Sequence, residues 1–174
     1  FFKFETKTVE LIERLKLLNA DPLFLLPVRL TPRKNIELAL RVMAELRREY
    51  PKAMLLVTGP EGPHNPNNKA YKRKLLSLRD ELNLRGTVHF LAEVTDEFMP
   101  DEVIADFYRI ADALLFPSRE EGFGIPIIEA AFSRMPVFCA DIAVLRELGG
   151  EDVTYFHPDA DPLEVARQVQ VRME

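Results

Sequence analysis

The stretch ALLFPSREEGFGIPIIE, residues 113–129, joins an apolar run to a loop with two glycines and then to a helical segment. The run at 113–116 has no polar side chain, which is typical of a strand covered on both faces of its sheet. Pro126 suits the first turn of a helix, where its missing N–H is not needed for a hydrogen bond. This order predicts a buried strand whose carboxyl end opens into a loop and a helix.

Other parts of the chain repeat this alternation. Apolar runs of similar length occur at residues 23–28, 53–58, 88–91, 137–140 and 153–156. Between them, apolar residues recur at helical spacing: Ile36, Leu40, Met43 and Leu46; Tyr71, Leu75, Leu78 and Leu82; and Val103, Ile104, Phe107, Ile110 and Ala111. Strands that alternate with helices form parallel βαβ units. The sequence therefore predicts an α/β fold with a doubly wound parallel sheet of about six strands and helices on both faces.

The two ends of the chain have helical patterns of their own. In residues 1–20 the apolar residues Val9, Ile12, Leu15 and Leu18 predict one amphipathic helix. We interpret this helix as a connector from a preceding domain. Near the other end, Asp161 predicts a helix N-cap, with Pro162 at the first position and Glu164 completing a capping box. Residues 21–174 suit one domain.

Two polar segments are assigned to the surface. Residues 59–68, GPEGPHNPNN, are rich in Gly, Pro and Asn and predict a long loop after the second strand. Lys72, Arg73 and Lys74 follow shortly afterwards on a helical segment and are expected to form a solvated face.

Composition limits the classes of function. The chain has 174 residues and a net charge of -5, which argues against a general attraction to nucleic acid. Its single cysteine, Cys139, excludes an internal disulfide and fits a reducing, cytoplasmic location. No apolar run is long enough to span a bilayer. The histidines His64, His89 and His157 lack metal-ligand spacing, so no metal site is expected.

The loop after the first strand is rich in cations. Arg29, Arg33 and Lys34 lie between a strand end and a helix start, where free backbone N–H groups and the helix dipole also favour anions. An arginine fork and a lysine point charge could together hold a diphosphate. The alternative is that they are solvated surface cations flanking a helix, and these residues alone leave both interpretations open.

The loop after the fourth strand combines carboxylates with glycines. Gly122 and Gly124 allow close backbone approach and positive φ, and the helix that follows points free N–H groups toward a ligand. Glu121 enters this loop, and Glu129 lies on the helix that leaves it, where either carboxylate could accept hydrogen bonds from sugar hydroxyls. The alternative makes Ser118 and Glu121 a capping box and Glu129 a solvated helix residue.

The segment from Glu121 to Glu129 resembles the E-x7-E motif of GT-B glycosyltransferases, especially glycosyltransferase family four (glycosyl transferases group 1). Similar segments flank it in the same order, at residues 29–35, 88–94, 116–118, 129–131, 136–137, 145–150 and 155–156. The likeness covers roughly residues 20–171. The chain departs from the family pattern at Val28 and Ala92, where glycine is usual, and at Arg134, where a small residue is usual.

The resemblance implies a Rossmann-like half of a GT-B fold and a retaining transfer of sugar from a nucleoside-diphosphate sugar to an acceptor hydroxyl. Arg29 and Lys34 would stabilise the leaving diphosphate in place of a metal ion, with no other cofactor. Glu121 would bind the donor sugar, and Glu129 the ribose. Other donor contacts would come from Gly122, Phe123, Gly124 and Ile125.

The resemblance also implies a partner within the same full-length chain, an N-terminal acceptor-binding domain. The chain opens with phenylalanine rather than methionine, which hints at a fragment. We therefore expect the isolated domain to bind nucleotide with little or no turnover. Any membrane association of the full-length protein would come through the missing half.

Two other classes compete with this interpretation. A non-catalytic nucleotide- or protein-binding module on the same fold would show partner binding without turnover, but the intact Glu121/Glu129 and Arg29/Lys34 pairs speak against it. A dinucleotide-dependent enzyme would need Gly-x-Gly-x-x-Gly after the first strand, where this chain has cations instead.

Overall fold

The computed structural model describes residues 3–61 and 66–174. Its core is a six-stranded parallel sheet in the order β3-β2-β1-β4-β5-β6, which confirms the predicted fold class. The strands are β1 (Leu23–Leu26), β2 (Met54–Val57), β3 (Val88–Phe90), β4 (Ala113–Phe116), β5 (Val137–Ala140) and β6 (Thr154–Phe156). Every residue of β1, β4 and β5 is buried, because helices cover both faces of these central strands.

Seven helices surround the sheet in the described part of the chain. They are α1 (Thr6–Leu15), α2 (Ile36–Leu46), α3 (Pro66–Glu81), α4 (Asp101–Ile110), α5 (Ile125–Phe132), α6 (Ala143–Gly149) and α7 (Pro162–Met173). Helix α2 packs against α3 and α7, whereas α4 packs against α1 and α5, and α5 against α6. These two groups lie on opposite faces of the sheet. Right-handed crossovers require this, because the chain runs from β1 toward β3 in one direction and from β4 toward β6 in the other.

The neighbours β1 and β4 mark the switch in strand order. Phe24 pairs with Ala113 and Leu25 with Leu114, although 89 residues separate each pair along the chain. From β1 the chain continues to β2, and from β4 it continues to β5 on the other side. The loops that follow these two strands therefore diverge and leave a crevice at the carboxyl edge, where such sheets bind ligands.

Helix α1 differs in detail from its predicted pattern. It buries Thr8, Leu11 and Ile12, whereas Val9 and Leu18, predicted to share its apolar face, are exposed at 40% and 76%. The helix ends at Leu15, so Leu18 falls in a separate short turn beyond it. The buried Thr8 hydroxyl donates to Asp106 of α4 at 2.7 Å, which fixes the rotation of the helix.

The polar segments are also more ordered than predicted. Helix α3 begins at Pro66, so residues 66–68 of the predicted loop 59–68 are helical, while residues 62–65, with His64, lie outside the described residues. Lys72 is not simply solvated: its ammonium donates to Glu61 at 2.7 Å and to the Ala92 carbonyl at 2.8 Å. Lys74 pairs with Glu37 at 3.0 Å but is 66% exposed, and Arg73 is exposed as well, so these two side chains are solvated as predicted.

Candidate functional site

A cavity of about 430 Å³ opens at the carboxyl edge, beside the β1/β4 switch point. Loops after β1, β2 and β4 form its walls together with the start of α4. The predicted site residues that line it are Arg29, Lys34, Glu121, Phe123, Gly124, Ile125 and Glu129. Gly122 adjoins the cavity in sequence but is not part of its lining.

The cavity floor depends on a close approach between two loops. A Cβ added to Gly59 would lie 1.9 Å from the carbonyl oxygen of Val28, so only glycine fits. Next to this point, Leu30 N–H donates to the Pro60 carbonyl at 3.1 Å. These contacts fix the backbone on either side of Arg29, whose side chain is exposed and has no hydrogen bond or ion pair with any described residue.

The structure brings Lys34 and Glu121 together in an ion pair. The ammonium of Lys34 lies 2.5 Å from Oε1 of Glu121, and the two side chains are only 10% and 8% exposed. The same ammonium lies 5.8 Å from the centre of the Phe116 ring. Because little water reaches the pair, the opposite charges interact strongly and neutralise each other.

The glycine loop approaches α5 through one left-handed residue. Gly124 has a φ of 88° and caps the helix, which begins at Ile125 with Pro126 in its first turn, as predicted. A Cβ at Gly124 would come within 2.7 Å of Leu145, so this position requires glycine for both space and conformation. No hydrogen bond within the described chain uses the N–H groups of Gly122 or Phe123, which leaves them free for a ligand.

The alternative capping box at Ser118 is contradicted. No described helix begins there, and Glu121 pairs with Lys34 instead. The Ser118 hydroxyl is buried and has no hydrogen-bond partner among the described residues. The loop from β4 is therefore shaped by contacts with the loop from β1, and not by a local helix start.

Glu129 lines the cavity and lies beside Tyr108 of α4. Burial and the neighbouring Glu129 carboxylate raise the pKa of the Tyr108 phenol, which stays neutral at ordinary pH. The Tyr108 hydroxyl also lies 3.5 Å from the Pro126 carbonyl. Glu129 is thus partly covered by a neighbouring helix, and the alternative of a fully solvated residue is wrong.

One wall of the cavity was not predicted from the sequence, and it is formed by the start of α4 and the residues before it. Its members in the cavity are Phe98, Met99, Asp101 and Ile104, of which Met99 is buried and Phe98 is 68% exposed. The signal was available, since α4 begins at the same edge of the sheet as α2 and α5. Residues 88–94, one of the segments that resemble the family, do not line this cavity.

Three other residues with ionisable side chains have structural surroundings or contacts. Cys139 is buried and free, and burial raises the pKa of its thiol to about 12. Asp112 accepts from the Leu23 N–H at 2.7 Å and so joins the starts of β4 and β1. Asp141 pairs with Arg146, which keeps the pKa of the Asp141 carboxyl below its usual value.

The described residues offer neither a metal-binding cluster nor a membrane-spanning helix. They contain no cluster of three or more His, Cys, Asp or Glu side chains able to hold a metal ion. Nor do they include a helix with the length and apolar character needed to cross a membrane.

Comparisons with known proteins identify the family of the chain. The sequence model of the family described as glycosyl transferases group 1 matches residues 9–171. The serotype-specific mannosyltransferase WbdA of Escherichia coli is 34% identical over 151 residues, which are 87% of this chain and 17% of that protein. A D-inositol 3-phosphate glycosyltransferase of Nocardia farcinica is 34% identical over 128 residues, 72% of this chain and 26% of that protein.

Solved structures show the same fold. Sucrose-phosphate synthase from Thermosynechococcus elongatus superposes with a TM-score of 0.75 and 26% identity, over 98% of this chain and 40% of that one. This protein therefore has the fold of the C-terminal domain of a GT-B glycosyltransferase. The chain belongs to the glycosyl transferases group 1 family. It spans well under half the length of each of these relatives.

Proposed function

We propose that this chain is the donor-binding domain of a retaining glycosyltransferase, which moves a sugar from a nucleoside-diphosphate sugar to an acceptor hydroxyl. The observation that carries the proposal is the convergence of Arg29, Lys34, Glu121 and Glu129 on one cavity, from loops far apart in sequence. In this view the acceptor is bound by an N-terminal domain of the full-length chain. The isolated domain then binds nucleotide but lacks turnover.

The diphosphate would bind between the first loop and the glycine loop. Arg29 has a guanidinium with no partner in the described structure, and Lys34 offers an ammonium at the cavity wall. The free N–H groups of Gly122 and Phe123 add neutral donors. As the bond to the sugar breaks, negative charge grows on the diphosphate, and fixed cations stabilise it most where water is scarce. This supports a mechanism that needs neither a metal ion nor another cofactor.

The sugar and the nucleoside would occupy opposite ends of the cavity. Glu121 would accept hydrogen bonds from sugar hydroxyls once the diphosphate has drawn Lys34 away from it. Glu129 would hold the ribose hydroxyls, with Met99 and Ile104 offering apolar surface nearby. The similar protein WbdA is named a mannosyltransferase, which supports a mannosyl donor as the first choice to test.

Isothermal titration calorimetry tests donor binding. We would titrate the folded chain with UDP, GDP, UDP-glucose and GDP-mannose, and expect one nucleotide series to bind. Arg29→Ala and Lys34→Ala should each weaken binding by about tenfold or more, as expected for charge-assisted bonds to phosphate. Arg41→Ala is a matched control, because Arg41 is an exposed cation on α2 outside the cavity lining. Absence of binding by the folded chain, or equal effects of all three variants, would contradict the proposal.

The chemistry needs the full-length protein. With donor and acceptor present, the product should keep the anomeric configuration of the donor sugar, which the one-bond ¹³C–¹H coupling of the anomeric centre reports. Activity should survive dialysis against EDTA. An inverted product or an activity lost with EDTA and restored by a divalent cation would overturn the corresponding part of the proposal.

A further inference from the structure

Asn35 connects three loops at the carboxyl edge of the sheet. It stands just before α2 in the left-handed conformation, with a φ of 52°, and is 5% exposed. Its Nδ2 donates to the carbonyl of Pro117 at 3.1 Å and to the carbonyl of Pro158 at 2.9 Å. These carbonyls belong to the loops after β4 and β6. One amide group therefore joins the loop that carries Lys34 to two others.

Two other contacts join these loops: one is a backbone hydrogen bond, and the other is an exposed ion pair. Arg119 N–H donates to the Arg33 carbonyl at 2.8 Å. The Arg119 guanidinium pairs with Asp159 at 2.5 Å, but these side chains are 44% and 63% exposed, and exposed ion pairs contribute little. Apart from the Lys34–Glu121 pair itself, the amide of Asn35 is the buried side-chain connection between these loops among the described residues. Removing it would leave the carbonyls of Pro117 and Pro158 without that donor.

We infer that Asn35 is a positioning residue that holds Lys34 against Glu121. Lys34 directly precedes Asn35, and Glu121 follows Pro117 by four residues in the same loop. The hydrogen bond from Asn35 to Pro117 therefore sets the separation of the two loops that carry the ion pair. That this placement also serves donor binding rests on the proposed function.

Asn35→Gly removes the amide and keeps the backbone, because glycine adopts positive φ without strain. Asn83→Gly is the matched control: Asn83 is also left-handed, with a φ of 56°, but it is exposed and follows α3 at the opposite edge of the sheet. Both changes raise the entropy of the unfolded chain similarly. A difference between them therefore reports the hydrogen bonds of Asn35.

The first measurement needs no ligand. Urea unfolding of the parent, Lys34→Met, Glu121→Gln and the double variant gives the coupling between Lys34 and Glu121, which should be about tenfold or more in the unfolding equilibrium constant. In the Asn35→Gly background we expect the coupling to fall below about threefold, and in the Asn83→Gly background to stay at the parent value. Unchanged coupling in Asn35→Gly would overturn the inference.

The second measurement is the affinity for the nucleotide that the parent binds most tightly. Asn35→Gly should weaken this affinity by about tenfold, because Lys34 would no longer be aligned with the phosphate, whereas Asn83→Gly should leave it unchanged.

The two measurements separate the inference from the proposed function. If the parent binds no nucleotide, the proposed function fails, while the coupling between Lys34 and Glu121 still decides the role of Asn35. If Asn35→Gly does not fold in buffer, all variants of the cycle are measured in trimethylamine N-oxide, which favours the folded state without replacing the lost hydrogen bonds. Parent-like coupling in Asn35→Gly under those conditions would refute the inference.

Discussion

Gly59→Ala places a methyl group where the backbone of the neighbouring loop already lies. The added Cβ would be 1.9 Å from the Val28 oxygen, whereas ordinary contact begins at 3.4 Å, so the two loops must separate by about 1.5 Å. Neither side is a flexible side chain that could turn away. Such overpacking costs about 3 kcal/mol of unfolding free energy, the upper end of the usual range, because backbone must move.

Urea denaturation followed by circular dichroism measures this cost. Gly122→Ala is the control, since a Cβ there meets nothing within 4 Å and its φ is not left-handed. We expect the control to change the unfolding free energy by no more than about 0.5 kcal/mol. The same displacement should move Arg29, which directly follows Val28, so Gly59→Ala should also weaken nucleotide binding under conditions where it stays folded.

Two results would refute this reasoning. If Gly59→Ala is no less stable than Gly122→Ala, the close approach of the two loops is not a feature of the folded protein. If Gly59→Ala is destabilised as expected but binds nucleotide with parent affinity, the approach supports the fold without placing Arg29.

Three further predictions concern other parts of the structure. Lys34→Met should destabilise the protein by about 3 kcal/mol because it leaves Glu121 with an unpaired, poorly solvated charge, and adding Glu121→Gln should restore part of that loss in urea denaturation. Burial and, secondarily, Arg79 lower the pKa of His89 below its usual value of 6.5, so the unfolded chain binds the proton more readily. The stability from His89 is then complete above pH 6.5 and is lost as the pH falls toward the lower folded pKa; unfolding midpoints between pH 7.5 and 5.5 should fall less steeply in His89→Asn, and equal slopes would contradict this. Asp161 accepts from the Leu163 N–H at 3.0 Å, so Asp161→Ala should lower the unfolding free energy by about 1 kcal/mol, whereas an unchanged midpoint would mean that the cap contributes nothing.

The sequence predicted the sheet well because its signal is local. Four to six adjacent apolar residues mark a strand buried on both faces, and the six strands appear where the runs lie, within two residues at each end. The convergence of the loops carrying Lys34 and Glu121 follows from the rule that parallel strands end at one edge. For α1 the local signal was insufficient, since the buried partner of Thr8 is Asp106, which lies far along the chain.

Pairings across the site were beyond sequence reasoning. Lys34 and Glu121 were assigned to different parts of a ligand, yet they bind each other, and 87 residues separate them. Nothing in the sequence near Asn35 shows that its amide reaches Pro117 and Pro158. Such contacts depend on side-chain direction and loop curvature, which only the packed structure defines. The roles of these residues toward a donor remain predictions.

The buried ion pair also has a consequence for selectivity. The Glu121 carboxylate competes with any ligand anion for the Lys34 ammonium, and its effective concentration is high because the fold holds it in place. A simple anion such as free phosphate can replace the carboxylate at the ammonium, but it leaves Glu121 without a partner to replace Lys34. A ligand that joins a phosphate to a hydroxyl-bearing ring offers an anion to Lys34 and hydrogen-bond donors to Glu121 at the same time. We therefore expect the site to discriminate against small anions in favour of such a ligand.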